Sequence, residues 1–322
     1  SPLGLPQGVA NAIAAALPHA DRYPDPLCRA LRAKLAPHEG IPAESILCGN
    51  GAADLIFRLA WAAKPRTALV TAPTFAEYAA ALESAGCAVR RHFLQAEVDF
   101  AVTDSILFSI TPEVDMVFLC QPNNPTGQLT PLPLVERILR RCEACGALLV
   151  VDECFLDFLP DCDTLTAKAL LDSKNLLILK AFTKLYGMAG VRLGYCLCAN
   201  TALLEAMQAA GQPWAVSSLA QAAGLAALDE TAYVARVQAL IAQQRPILRD
   251  GLRALGLRVL DGSANYLLFQ APETLGESLR QRGIVLRSCG NYPGLDGSWY
   301  RTAVRTAPEN QQLLKALQEV LA

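Results

Sequence analysis

Short apolar runs recur along the chain, and between them stand segments whose apolar residues lie three and four apart. The runs at 45–48, 67–71, 89–94, 116–120, 147–151 and 176–179 read as strands, and a further one opens at Gly194. The segments at 52–63, 73–85 and 130–145 read as helices. Runs such as ALLVV at 147–151 have no polar face, so strands of this kind are covered on both sides. Strand and helix in alternation predict an α/β unit, a mainly parallel sheet held between helices in three layers. From 230 to about 255 the pattern becomes one long amphipathic helix. Beyond it, strands at 266–269, 284–287 and 300–304 interleave with helices at 273–282 and 308–321. That change of texture predicts a second, smaller α+β domain. The expected division is a large domain over 21–228, a small one over 229–322, and an N-terminal segment over 1–20 that packs with the small domain.

Length fits this division: 322 residues, 52% of them hydrophobic, exceed what one core usually carries. A formal charge of −2 without long charge runs gives no reason to expect nucleic acid or an anionic membrane as partner. No apolar run approaches the length of a membrane span. The eleven cysteines are scattered, several inside apolar strand patterns. The lone CxxC pair, Cys142 and Cys145, falls on a helix with no second pair and no nearby histidine, so no metal site is expected. Reduced thiols in a cytoplasmic protein fit best. The chain opens at SPLGLPQG without a methionine, which reads as a start inside a longer sequence.

Ligands of such sheets sit beyond the carboxyl ends of the strands. The residues that follow the predicted strands are GNGAA at 49–53, Phe75, NNPTG at 123–127, Asp152, and Thr183-Lys184 with Arg192 beyond. Each suits one part of pyridoxal 5′-phosphate. Gly51, Ala52 and Ala53 open a helix whose free N–H groups can take a phosphate, and Arg192 can add a charge-assisted contact to it. Asp152 can pair with the pyridinium nitrogen and keep the ring an electron sink. Phe75 can stack on the ring and Asn124 can donate to its phenolic oxygen. Lys184, just past a strand end in apolar company, is expected to be poorly solvated, which favours the neutral amine a Schiff base needs. Singly, each motif also fits an ordinary turn, cap or ion pair. Their succession at strand ends is what points to the cofactor.

PNNPTG at 122–127, VDECF at 151–155, FTK at 182–184 and the spacing from Lys184 to Arg192 resemble the motifs of fold-type I pyridoxal-phosphate enzymes, the class I and II aminotransferase group. The resemblance runs along essentially the whole chain. It implies Lys184 as the Schiff-base lysine, with Asp152 at the ring nitrogen, Asn124 at the ring oxygen, and Thr183, Arg192 and the Gly51 turn at the phosphate. It further implies a homodimer with shared active sites, in which Tyr23 of YPDP reaches the neighbouring subunit's phosphate. Arg301 of YRTAVRT is implied to grip the substrate carboxylate.

Within the group, the chain resembles the histidinol-phosphate aminotransferases and the L-threonine-O-3-phosphate decarboxylases of cobamide synthesis. Five stretches lean towards the decarboxylases: 2–6, 152–161, 212–228, 287–297 and 301–305. Phe155 stands where the aminotransferases usually carry tyrosine, and Arg305 where they carry glycine. Ala181 stands where a hydroxyl for the cofactor phosphate is common, and Thr183 can compensate. A small phosphorylated amino acid is the implied substrate, with Arg287 and Arg305 as candidates for its phosphate. A non-catalytic binding module of the same fold is the alternative class. The presence of both Lys184 and Asp152 favours an enzyme.

Overall fold

The computed structural model describes residues 1–321. Seven strands form one sheet: β1 (Ile46–Gly49), β2 (Thr67–Ala72), β3 (Ala88–Phe93), β4 (Met116–Cys120), β5 (Leu148–Asp152), β6 (Leu176–Ala181) and β7 (Gly194–Cys198). Their order is β1-β7-β6-β5-β4-β2-β3. The pairs from β3 through β2, β4 and β5 to β6 are parallel, while β7 runs antiparallel to both β6 and β1. The sheet is thus mainly parallel, with an antiparallel pair of strands at one end.

Ten helices belong to this part of the chain. They are α1 (Gln7–Ala16), α2 (Arg29–Glu39), α3 (Gly51–Ala63), α4 (Glu77–Ser84), α5 (Ile106–Ser109), α6 (Leu132–Cys145), α7 (Cys162–Leu165), α8 (Phe182–Leu185), α9 (Thr201–Ala210) and α10 (Ser218–Ala227). They cover both faces of the sheet, and the pleat of the central strands divides the core accordingly. Val117, Leu149, Val151 and Ile178 enter one apolar cluster, while Phe118, Val150, Leu177 and Leu179 enter the other. This is why those runs carry no polar face. β3, at the sheet edge, is mostly exposed and carries Arg90 and Arg91, charges that discourage edge-to-edge pairing.

The C-terminal part starts with α11 (Thr231–Ala254) and contains β8 (Arg258–Val259), β9 (Tyr266–Gln270), α12 (Leu275–Arg280), β10 (Arg287–Ser288), β11 (Trp299–Ala303) and α13 (Ala307–Leu321). Its four strands form an antiparallel sheet in the order β10-β11-β9-β8. Two details differ from the sequence expectation. The strand expected over 284–287 shrinks to the two residues of β10, and the helix expected from 73 begins at Glu77.

α1 packs chiefly on α10. Residues 1–20 also reach the C-terminal part: Gly8 N–H donates to Glu230 (3.0 Å), and the Tyr233 hydroxyl donates to the Gly4 carbonyl (2.5 Å) and pairs with the Ser1 hydroxyl (2.6 Å). The small residues of α1 and α10 allow this approach, a pairing that a pattern read within each segment does not reveal. Among the described residues, no helix is long and apolar enough to cross a membrane.

Candidate active site

The parallel strands β4, β5 and β6 bring their carboxyl ends to one edge, where Cys120 is registered against Asp152 and Asp152 against Leu179. A cavity of about 320 Å³ opens there and reaches across to β10 and β11. Ala52, Ala53, Phe75, Asn124, Asp152, Thr183, Lys184, Arg192, Arg287 and Arg301 all line it. The order along the chain is therefore gathered into one space.

At one end of the cavity lies the first turn of α3. Gly51 has φ +80°, and a Cβ on it would fall 2.7 Å from Arg192 Nη2. A Cβ on Gly194, across in β7, would fall 2.6 Å from the Ala52 amide nitrogen. Only glycine at both places lets the helix terminus, β7 and the guanidinium meet. Asp54 fixes the turn by accepting the Asn50 N–H (2.8 Å) and Arg58 Nε–H (3.0 Å). Arg192 itself sits at φ +61°, a left-handed conformation that costs a non-glycine residue on the order of 1 kcal/mol. It also donates to the Ala189 carbonyl at 3.2 Å. Thr183 is buried and lines the cavity together with Ala181.

At the other end the Asp152 carboxylate is held by two donors. The Tyr78 hydroxyl donates to Oδ2 at 2.6 Å and the Cys154 N–H donates to Oδ1 at 3.0 Å. Tyr78 is fully buried, its ring stacked on Phe118 at 4.8 Å. Burial, and then the charge of Asp152, push its hydroxyl well above the usual range, so it remains a donor. Burial and Asp152 likewise push the Cys120 thiol up to about 12 and raise that of Cys154. Both thiols line the cavity and stay protonated. Tyr78 escaped the sequence analysis. Its only signal is a tyrosine three residues past Phe75, on a helix face that reads as core.

Where β11 borders the cavity, Arg301 Nη1 donates to Asn124 Oδ1. Asn124 is left with its amide N–H2 to offer, as the ring-oxygen role requires. The Arg301 guanidinium lies 5.0 Å over the Tyr266 ring, and Phe155 meets that ring edge-on at 5.2 Å. Lys184 Nζ stands 5.5 Å over Phe155. The sequence places Lys184 in apolar company, but the side chain is exposed to the cavity. The turn of α8 buries Phe182, Thr183 and Leu185 and directs Lys184 outward.

Arg287 lines the cavity, rests 5.6 Å over Tyr292 and donates to Asn291 (3.2 Å). Arg305 does not line it. It borders an adjoining cavity of about 310 Å³ and is held by Glu309 at 2.6 Å. Tyr23 is 81% exposed, with its ring tilted against that of Trp214 at 4.7 Å, and does not line the cavity of its own chain.

A phosphate cradle on glycine, a fixed carboxylate facing it across a cavity, an aromatic wall and a lysine between them fit a phosphorylated pyridine aldehyde. The family model for aminotransferase class I and II matches residues 3–317. The chain belongs to that pyridoxal-phosphate-dependent family, and its cofactor is pyridoxal 5′-phosphate. It is 40% identical over 325 residues to the threonine-phosphate decarboxylase of Salmonella typhimurium, covering 100% of this chain and 89% of that one. It is 34% identical over 335 residues to the histidinol-phosphate aminotransferase of Desulfitobacterium hafniense, covering 100% and 90%. The fold matches the crystal structure of the histidinol-phosphate aminotransferase from Clostridium acetobutylicum with a TM-score of 0.93 at 28% identity, covering 100% of this chain and 97% of that one.

Proposed function

We propose that the protein decarboxylates L-threonine O-3-phosphate to (R)-1-aminopropan-2-yl phosphate, the cobamide side-chain precursor, as a homodimer with shared active sites. The observation that carries the reading is the meeting of two cavities at Lys184: Phe155, Lys184, Arg287 and Arg301 line both, and Arg305 borders the second. A substrate with a carboxylate, a phosphate and an amine between them matches three arginines around one lysine. The 40% identity to a threonine-phosphate decarboxylase supports the same substrate.

The cofactor, when bound, supplies an electron-accepting ring to the substrate Cα. The protein supplies the rest. Gly51, Ala52, Ala53, Thr183 and Arg192 hold the cofactor phosphate, Phe75 covers a ring face, and Asn124 donates to the ring oxygen. Asp152, fixed by Tyr78, keeps the ring nitrogen protonated. Arg301 would orient the substrate carboxylate relative to Lys184, and that orientation would decide which Cα bond is broken; in the decarboxylase reading the carboxylate leaves as carbon dioxide. Lys184 then returns a proton to Cα. Tyr23, exposed and outside its own cavity, serves the partner's phosphate.

Transamination of histidinol-phosphate type is the second reading, favoured by the 34% identity to such an enzyme. In that reaction Lys184 removes the Cα proton instead. Carbon dioxide release from L-threonine O-3-phosphate, with added cofactor and no oxo-acid, tests the choice. Catalytic release supports the decarboxylase. Glutamate formed from 2-oxoglutarate and histidinol phosphate, without such release, replaces it with the aminotransferase.

A further inference from the structure

Tyr266 has no role among the residues assigned so far, yet it touches both halves of the site. It lies on β9, where Ala303 of β11 is its register partner and Arg301 stands opposite Leu268. Tyr266 and Arg301 are therefore diagonal neighbours on one face of the small sheet, within reach of a ring and a long side chain. The guanidinium lies 5.0 Å over the ring. The hydroxyl leaves the small sheet altogether and donates to the Asn123 carbonyl at 2.9 Å, with both residues buried. Arg301 donates to Asn124, the next residue of the same loop. Two side chains of the C-terminal sheet thus clamp two successive residues of the loop beyond β4. The edge contact with Phe155 then carries the connection to the ring beneath Lys184.

We infer that Tyr266 is the positioning residue for Arg301, fixing where the substrate carboxylate sits relative to Lys184. The inference rests on the assignment of Arg301 to that carboxylate. Without the ring, the guanidinium loses its platform and keeps only its bond to Asn124, about which it can pivot. Without the hydroxyl, the platform remains but is no longer tied to the loop. Burial keeps that hydroxyl well above its ordinary range, so the tie does not titrate. Because the broken bond is selected by orientation, a small displacement of Arg301 changes outcome more than occupancy.

The test compares Tyr266→Phe and Tyr266→Leu in cofactor-loaded protein by two measurements. The first is binding of L-threonine O-3-phosphate and of 1-aminopropan-2-yl phosphate, which lacks the carboxylate, followed by cofactor absorbance. Tyr266→Leu should weaken the carboxylate-bearing ligand by about ten-fold and leave the other within about two-fold, with Tyr266→Phe restoring most of the loss. The second is amide hydrogen exchange over 123–127, which needs no ligand and should quicken in both variants. Equal weakening of both ligands, or unchanged exchange in both variants, would overturn the role. If wild-type protein binds neither ligand, the substrate reading fails, and exchange over 123–127 decides the clamp by itself.

Discussion

Arg287 and Arg301 stand directly opposite one another across the β10–β11 pair, and both line the cofactor cavity. Like charges at directly opposed positions cost an antiparallel pair about 0.2–1 kcal/mol. Among the described residues no carboxylate is bonded to either guanidinium: Arg287 donates to Asn291, and Arg301 to Asn124. Two cations held together in this way suit the proposed substrate, which carries two negative groups.

Arg287→Met should therefore raise the stability of ligand-free protein by about 0.2–1 kcal/mol, since it removes a repulsion. The same variant should raise KM for L-threonine O-3-phosphate by about ten-fold or more, through loss of a charge-assisted bond. Urea unfolding and steady-state kinetics check the two directions. A variant that loses stability and keeps KM would make Arg287 an ordinary packing residue.

Tyr78→Phe isolates the hydroxyl that holds Asp152, because the ring can still stack on Phe118. A buried bond to a charged acceptor is worth about 1.5–3 kcal/mol. The expected result is cofactor affinity weakened about ten-fold or more, with the absorbance band of the lysine-bound cofactor displaced. Unchanged affinity and spectrum would mean that the Cys154 N–H alone fixes the carboxylate.

Arg305 is held by Glu309 across one helical turn, and Glu309 also accepts from the Thr306 N–H at 3.1 Å, a capping-box arrangement at the start of α13. An exposed pair of this kind contributes about 0–1 kcal/mol. A phosphate can therefore compete for Arg305. Arg305→Gly should weaken phosphorylated ligands far more than their dephosphorylated analogues. Glu309→Gln, which keeps a capping acceptor but frees the guanidinium, should tighten them. Equal effects on both kinds of ligand would remove Arg305 from phosphate binding.

The parts of this molecule legible in the sequence are those where one periodicity decides. Leu149, Val150 and Val151 had to lie in a strand covered on both faces, and the polar residues after such strands had to share an edge. Tyr78 and Tyr266 were illegible for the opposite reason. Each is an aromatic on a core-like face, and only the fold aims its hydroxyl at Asp152 or at the Asn123 carbonyl. Lys184 was placed correctly in the chain, but its surroundings were misjudged. Sequence neighbours of a lysine in a helical turn point away from it, so their apolar character does not measure its solvation. The packing of α1 on α10 is a contact between segments about 200 residues apart, and no local pattern encodes it.

Glu153, next to Asp152, gives a prediction in pH. Its carboxyl is fully buried, accepting from the Thr166 hydroxyl and the Ala167 N–H, each at 2.7 Å. Burial pushes it up to about 7, against the nearby positive charge of Lys180 and these two bonds. The folded state therefore holds this proton more tightly than the unfolded chain, where the carboxyl has an ordinary value near 4.5. Below about 4.5 both states are protonated and the group is neutral to stability; between about 4.5 and 7 the unfolded chain loses the proton first, and stability falls as pH rises. Above about 7 the loss is complete, on the order of a few kcal/mol. Glu153→Gln reproduces the protonated side chain at every pH. Its stability, measured by urea unfolding against wild type from pH 4.5 to 8, should gain on wild type steadily up to about pH 7 and then hold a constant lead. A difference that stays flat across this range would mean that Lys180 keeps Glu153 ionised throughout.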